Sequence, residues 1–204
     1  MKAYGLPSHP YNLTPSALPI RSLLFQREPQ WVPAHVLKHA YAPTAAGSWI
    51  EESGSLTARL RRIYGGGFGV KVLGQRWNKP YPDEIRILGL AWQRHTLVRE
   101  VLLQDRGQAL VAARSIIPRE ALRGMQCRLA HLGNRPLGEL LFAYPRLARL
   151  SLEVSRIEPS HWRPDCLGEL APQGEIWGRR SVYAVASGQI LVCEFFLPAL
   201  ITPT

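Results

Sequence analysis

Three charged side chains stand where the sequence around them is almost wholly apolar: Arg99 in LVREVLLQ, Arg114 in ALVAARSII and Glu194 in QILVCEFFLP. All three stretches read as strands. Side chains alternate faces along a strand, so Arg99 shares a face with Leu97, Val101 and Leu103, and Arg114 with Ala112 and Ile116. Glu194 shares one with Ile190, Val192 and Phe196. An isolated buried charge costs many kcal/mol, so each of the three must find a partner. Arginine stays charged when buried and holds a carboxylate through two parallel hydrogen bonds. Two buried arginines against one glutamate leave an excess positive charge, which a carboxylate ligand neutralises. The pattern points to a pocket for a small, mainly apolar acid. For Glu194 the competing reading is an ordinary structural ion pair with an arginine.

Other chemistries find less support. No serine–histidine or cysteine–histidine constellation is legible, and Cys193 points to the strand face opposite Glu194. The three cysteines, Cys127, Cys166 and Cys193, show no C-x-x-C spacing, which disfavours a disulfide framework and a zinc site. His35 and His39 have the i, i+4 spacing of a helical metal pair, but no third ligand is near. We expect neither metal nor cofactor. Glycines 65, 66, 67 and 69 are not followed by G-K-[ST], so they read as the entry turn to a strand beginning at Phe68, not as a phosphate cradle.

The formal charge of +10 draws anions in general. The arginines are scattered, however, not concentrated on one helix or interleaved with aromatics, so nucleic acid is not the expected partner. No apolar run approaches the roughly 20 residues of a spanning helix, and the N-terminus lacks the apolar core of a signal peptide. A cytoplasmic monomer without membrane insertion is expected.

These residues need elements to position them. Residues 1–46 hold seven prolines, so the chain there is extended or turning, and Leu23, Leu24, Phe25, Trp31 and Val32 anchor it to the domain. Ser53 or Ser55 caps a helix carrying Leu56, Leu60 and Ile63. Leu97–Gln104 and Ala109–Ile117 form a hairpin across a three- to four-residue connection. Short helical pieces follow Pro118, and Pro136 opens a further helix. Strands come last, over 150–157, 176–186 and 189–198, and the final one, apolar on both faces, is central in its sheet. Helices grouped between runs of antiparallel strands indicate an α+β domain.

Six segments, taken in order, resemble the chorismate lyase family: GSLTARL from Gly54, LVREVLL from Leu97, ARSIIP from Ala113, LGNRPLGELLF from Leu132, IWGRRSVYAV from Ile176 and LVCEFFLPA from Leu191. The likeness runs from about Gln30 to near the C-terminus, which divides the chain into a proline-rich extension, 1–29, and a domain, 30–204. The resemblance implies a six-stranded antiparallel sheet with helices packed on one side. It also implies conversion of chorismate to 4-hydroxybenzoate and pyruvate, the first step of ubiquinone synthesis, without a cofactor. In that family's pattern Arg99 grips the ring carboxylate, helped by the backbone amides of Leu56 and Leu137. Glu194 meets the ring hydroxyl, and Arg114 lines the same pocket. Arg114 or Arg179 then supplies a donor to the departing ether oxygen, while Glu194 orients the hydroxyl or accepts a proton. The extension and the loop from Glu158 to Glu175 are longer than in compact family members. The runner-up is a non-catalytic effector-binding domain of the type found in GntR regulators, which resemble this fold; residues 1–46 are too proline-rich for the DNA-binding segment that precedes such domains.

Overall fold

The last strand does lie at the centre. A computed structural model describes residues 21–124, 132–185 and 187–201, so Cys127 and most of the proline-rich extension fall outside the described residues. The strands are β1 (Val32–Pro33), β2 (Phe68–Asn78), β3 (Thr96–Asp105), β4 (Gln108–Ile117), β5 (Ala148–Ile157), β6 (Ile176–Val185) and β7 (Gly188–Phe196). They form one sheet in the order β1-β5-β6-β7-β4-β3-β2, every neighbouring pair antiparallel. The expected six strands are present, and a seventh joins them: Val32 and Pro33 pair with Val154 and Glu153. Proline lacks a ladder donor and is tolerated at a sheet edge, which is how an edge strand hides in a proline-rich stretch.

The helices are α1 (Lys38–Tyr41), α2 (Gly47–Ile50), α3 (Leu56–Tyr64), α4 (Pro82–Ile87), α5 (Arg119–Gly124), α6 (Leu137–Phe142), α7 (Pro164–Leu167) and α8 (Pro198–Ile201). They do not all lie on one side. Leu56 and Leu60 of α3, Leu141 of α6 and Leu200 of α8 pack on the face of Val101, Ala113, Tyr183 and Phe196. On the other face Leu24, Phe25, Trp162 and Leu167 pack with Val98, Ala112, Leu191 and Phe195, and α4 brings Glu84 to Arg114 there. Two apolar sheet faces need two covers. The chain from Ser22 to Phe25 supplies part of the second: Leu24 and Phe25 are fully buried, and the Phe25 ring packs at a tilt against Trp162 and edge-on against Phe195.

The hairpin is tighter than expected. Asp105 pairs with Gln108, leaving only Arg106 and Gly107 in the turn, both in the left-handed region at φ 45° and 92°. A two-residue turn of this kind matches the twist of its strands. Beyond it a bulge between the Gln104–Ala109 and Leu103–Val111 pairs shifts the register by one residue, which sets Arg99 opposite Ser115 and Glu100 opposite Arg114. Among the described residues no helix is long and apolar enough to cross a membrane.

Candidate active site

A pocket opens between the sheet and the helices α3 and α6. Its walls include Arg99, Ser115, Val192 and Glu194 from the strands, and Thr57 and Leu137 from the helices. It encloses about 570 Å³ of empty space, part of it open to solvent. The lining is mainly apolar, with charge at two places.

The first charged pole is Arg99. Its side chain is buried, with Nη1 donating to Gln75 Oε1 at 2.8 Å and Nη2 to the carbonyls of Gly133 at 2.9 Å and Arg135 at 3.1 Å. All three acceptors are neutral. With no carboxylate to oppose it, burial pulls the guanidinium pKa below its usual value.

Two helix N-termini flank this pole. Leu56 is the first residue of α3, behind Ser55, whose hydroxyl accepts from the Ala58 amide at 3.2 Å. Leu137 is the first residue of α6, behind Pro136. First-turn amides have no acceptor within their own helix and sit at its positive end. Gly138 lets the two helices meet, since a methyl group there would stand 2.7 Å from Thr57 Oγ1. Ile63, expected on the inner side of α3, is instead 54% exposed.

The second pole is Glu194. Arg99 pairs with Ser115 and Ser115 with Val192, so Glu194 lies two strands across and two residues along. That places the two backbone positions ~12 Å apart, with both side chains directed into the space between. Glu194 Oε2 accepts from Arg179 Nε at 2.6 Å. Burial would lower the Arg179 pKa, but the adjoining carboxylate outweighs it and the net shift is upward. The ion pair expected as the alternative role of Glu194 therefore exists, and its carboxylate member lines the pocket while Arg179 stands behind it. Tyr183, on the same face, has its phenol pKa raised by burial first and by the charge on Glu194 second.

Arg114 is not in this pocket. It faces the other side of the sheet, where Nε and Nη2 hold the two oxygens of Glu84 at 2.7 and 2.9 Å, and Nη1 meets Glu100 Oε1 at 2.9 Å. Strand parity dictates this: Arg114 pairs with Glu100, and Arg99, one residue before it, points the opposite way. The excess positive charge of the pocket thus comes from Arg99 and Arg179 against Glu194, not from Arg99 and Arg114.

Gln75, Ser115, Thr57 and Tyr183 were not singled out from sequence. The β3–β4 turn alone would not have found Ser115, because a bulge shifts that register by one residue, whereas counting back along the unbroken ladder from the Val185–Gly188 pair places Arg179 opposite Glu194. Gln75 carries no comparable local signal. Cys193 lies on the far face, buried, its thiol pKa pushed up chiefly by burial. His35 and His39 are exposed, and among the described residues no three His, Cys, Asp or Glu side chains cluster as a metal site.

Comparison with known proteins bears on these residues directly. The profile of the chorismate lyase family matches residues 26–203. A probable chorismate pyruvate-lyase of Methylococcus capsulatus is 48% identical over 76% of this chain and 96% of its own length. A second, from Thiobacillus denitrificans, is 43% identical over 82% and 90%. Among solved structures, the PhnF C-terminal domain superposes with a TM-score of 0.50 at 14% identity, covering 67% of this chain and 87% of its own. A GntR-family regulator from Bacillus cereus also scores 0.50, at 11% identity, covering 65% and 93%. At such identities the two structures share a fold with this chain and nothing more.

Proposed function

From its membership of the chorismate lyase family, to which this chain belongs, we propose that it converts chorismate to 4-hydroxybenzoate and pyruvate in the pocket between Arg99 and Glu194. The ring acid so formed would serve ubiquinone synthesis. One observation carries the assignment: Arg99 is buried against neutral acceptors only, beside two helix N-termini, in a pocket whose far wall holds a carboxylate.

The ring carboxylate docks on Arg99 and the amides of Leu56 and Leu137, supplying the counter-charge that the guanidinium lacks. The ring hydroxyl reaches Glu194, which accepts its hydrogen bond. In the reaction the ring carbon–oxygen bond to the enolpyruvyl group breaks and the hydrogen on the hydroxyl-bearing carbon leaves as a proton. The ring becomes aromatic, and the enolpyruvate takes up a proton at its methylene carbon to become pyruvate. Aromatisation supplies the driving force, so the protein's task is orientation and electrostatic stabilisation in a space shielded from water. Glu194 holds the hydroxyl in preference to acting as the base, because Arg179 already occupies one of its oxygens. Arg114, facing away, supplies no donor to the ether oxygen. A closed apolar pocket retains its aromatic product, which makes release a slow step.

The test is direct. Purified protein given chorismate should produce 4-hydroxybenzoate, followed by its absorbance, with one pyruvate for each. A folded protein that binds 4-hydroxybenzoate yet forms none from chorismate would be a sensor, not this lyase.

A further inference from the structure

We infer that Arg179 is a positioning residue: one guanidinium fixes both poles of the pocket and so sets the preference for a para-hydroxylated ring acid. The inference rests on the lyase reading above and deepens it.

The side chain is 1% exposed and reaches in two directions. Its Nε holds Glu194 at 2.6 Å. Its Nη1 collects three backbone carbonyls, those of Trp49 at 2.9 Å, Ile50 at 3.1 Å and Glu52 at 2.7 Å. The first two belong to the end of α2, where carbonyls lack partners within the helix and the dipole is negative. Arg149 adds a second donor to the Glu52 carbonyl at 3.1 Å. From there only Ser53, Gly54 and Ser55 intervene before Leu56, the first residue of α3. Two of those three are pinned: the Gly54 amide donates to Glu52 Oε1 at 2.8 Å, and Ser55 caps the helix. Three residues span at most ~10 Å, so a shift at Glu52 is passed to the Leu56 amide. Arg179 therefore orients the hydroxyl pole through Glu194 and the carboxylate pole through Glu52.

A buried arginine needs partners wherever it lies, and the far face provides the contrast. Arg180, adjacent in sequence, is equally buried and pairs with Glu153 and Asp83 at 2.5 Å each, but touches neither pole. A merely structural Arg179 should behave like it.

Two binding measurements separate the roles. Benzoate affinity reports the carboxylate pole, and the ratio of 4-hydroxybenzoate to benzoate affinity reports the hydroxyl pole. Glu194→Gln should lower the ratio alone. A glycine inserted between Gly54 and Ser55 should lower benzoate affinity alone. Arg179→Lys should lower both, each by roughly tenfold or more, the effect of losing a charged hydrogen bond. Arg180→Lys should lower the melting temperature and leave both quantities within twofold. A folded Arg179→Lys protein with both quantities within twofold of the parent overturns the inference. If that variant does not fold, the insertion decides, since it leaves Arg179 in place: unchanged benzoate affinity would break the link from Glu52 to Leu56. A parent protein that neither makes 4-hydroxybenzoate nor binds it would instead remove the lyase reading itself.

Discussion

Arg114 and Arg99, buried on opposite faces of the sheet, stand in opposite electrostatic circumstances. On the face covered by α4 and the Ser22–Phe25 segment, Arg114 is held by Glu84 and Glu100, and its pKa is raised well above the usual value because those carboxylates outweigh burial. Glu100 in turn takes hydrogen bonds from the Ser22 hydroxyl and, at 2.8 Å, from the Leu23 amide. Arg180 is likewise paired with Asp83 and Glu153. On the pocket face Arg99 meets only an amide oxygen and two carbonyls, and its pKa moves the other way. Similar side chains in neighbouring strands thus do different jobs. Where protein carboxylates complete the charge, an arginine ties the fold together; where they do not, as at Arg99, the missing charge is the one the proposed ring carboxylate would supply.

The largest effect should come from breaking the completed face. Arg114→Met leaves Glu84 and Glu100 buried without their cation, which should cost about 3–5 kcal/mol of stability. Turnover per folded molecule should stay near that of the parent. Denaturant midpoints beside active-site-normalised rates check both halves. Loss of turnover without loss of stability would return Arg114 to the site.

Arg99→Lys should show the reverse. The charge persists, but the planar fork that matches a carboxylate is gone, so transition-state stabilisation should fall by about 1.5–3 kcal/mol. That corresponds to roughly 10- to 150-fold in kcat/KM, with a midpoint close to that of the parent. Steady-state constants near normal would show that Arg99 does not carry the ring acid, and the contrast between the faces would lose its functional meaning.

A smaller effect is expected of Glu194→Gln, because glutamine can still accept the hydroxyl's hydrogen bond. Rate and 4-hydroxybenzoate affinity should weaken together and modestly. A fall of about 10²–10⁴ in rate with affinity intact would identify Glu194 as a proton acceptor instead. Lower stability with rate and affinity both unchanged would reduce it to the partner of Arg179.

Much of this arrangement is legible in the sequence because it depends on local periodicity. Alternation along LVREVLLQ and QILVCEFFLP placed Arg99 and Glu194 among buried residues, and apolar residues on both faces of the last strand marked it as central. A serine cap of α3, at Ser53 or Ser55, was legible from residue type and position, and Ser55 is the one that fills it. Long-range partnership was not legible. Nothing near Arg114 in sequence says that Glu84, 30 residues away, enters its face, or that Ser22, 78 residues from Glu100, closes the network. Arg114 was assigned to the pocket by resemblance, and parity counted back from the two-residue turn would set it opposite Arg99. The bulge between the Leu103–Val111 and Gln104–Ala109 pairs shifts the register by one and turns Arg114 to the other face. Two-residue features are lost for another reason. A strand as short as Val32–Pro33 has no periodicity to detect, and its ladder comes wholly from its partner β5.

The completed face also has, among the described residues, a carboxyl group that its arginines do not bind, Glu28, and this gives the smallest effect. Glu28 takes its hydrogen bond from the Asp83 amide, at 3.0 Å, rather than from a guanidinium. Its pKa is raised from 4.5 to about 7, mainly by burial, with the charges of Glu84 and Asp83 adding to the rise and the Asp83 amide opposing it. A carboxyl whose pKa is higher in the folded than in the unfolded chain stabilises the fold while protonated. That contribution is complete below about pH 4.5 and is lost as pH rises through 7, where the folded protein must bear a half-buried charge. The loss should amount to about 1–3 kcal/mol, given 1.36 kcal/mol per unit and partial solvent access. Glu28→Gln stays neutral throughout. It should match the parent near pH 4.5 and exceed it in stability at pH 8, as read from urea midpoints across that range. Parallel curves for the two proteins would mean that Glu28 ionises in the fold without cost, and that the far face can carry an unpaired carboxylate as readily as the pocket carries an unpaired arginine.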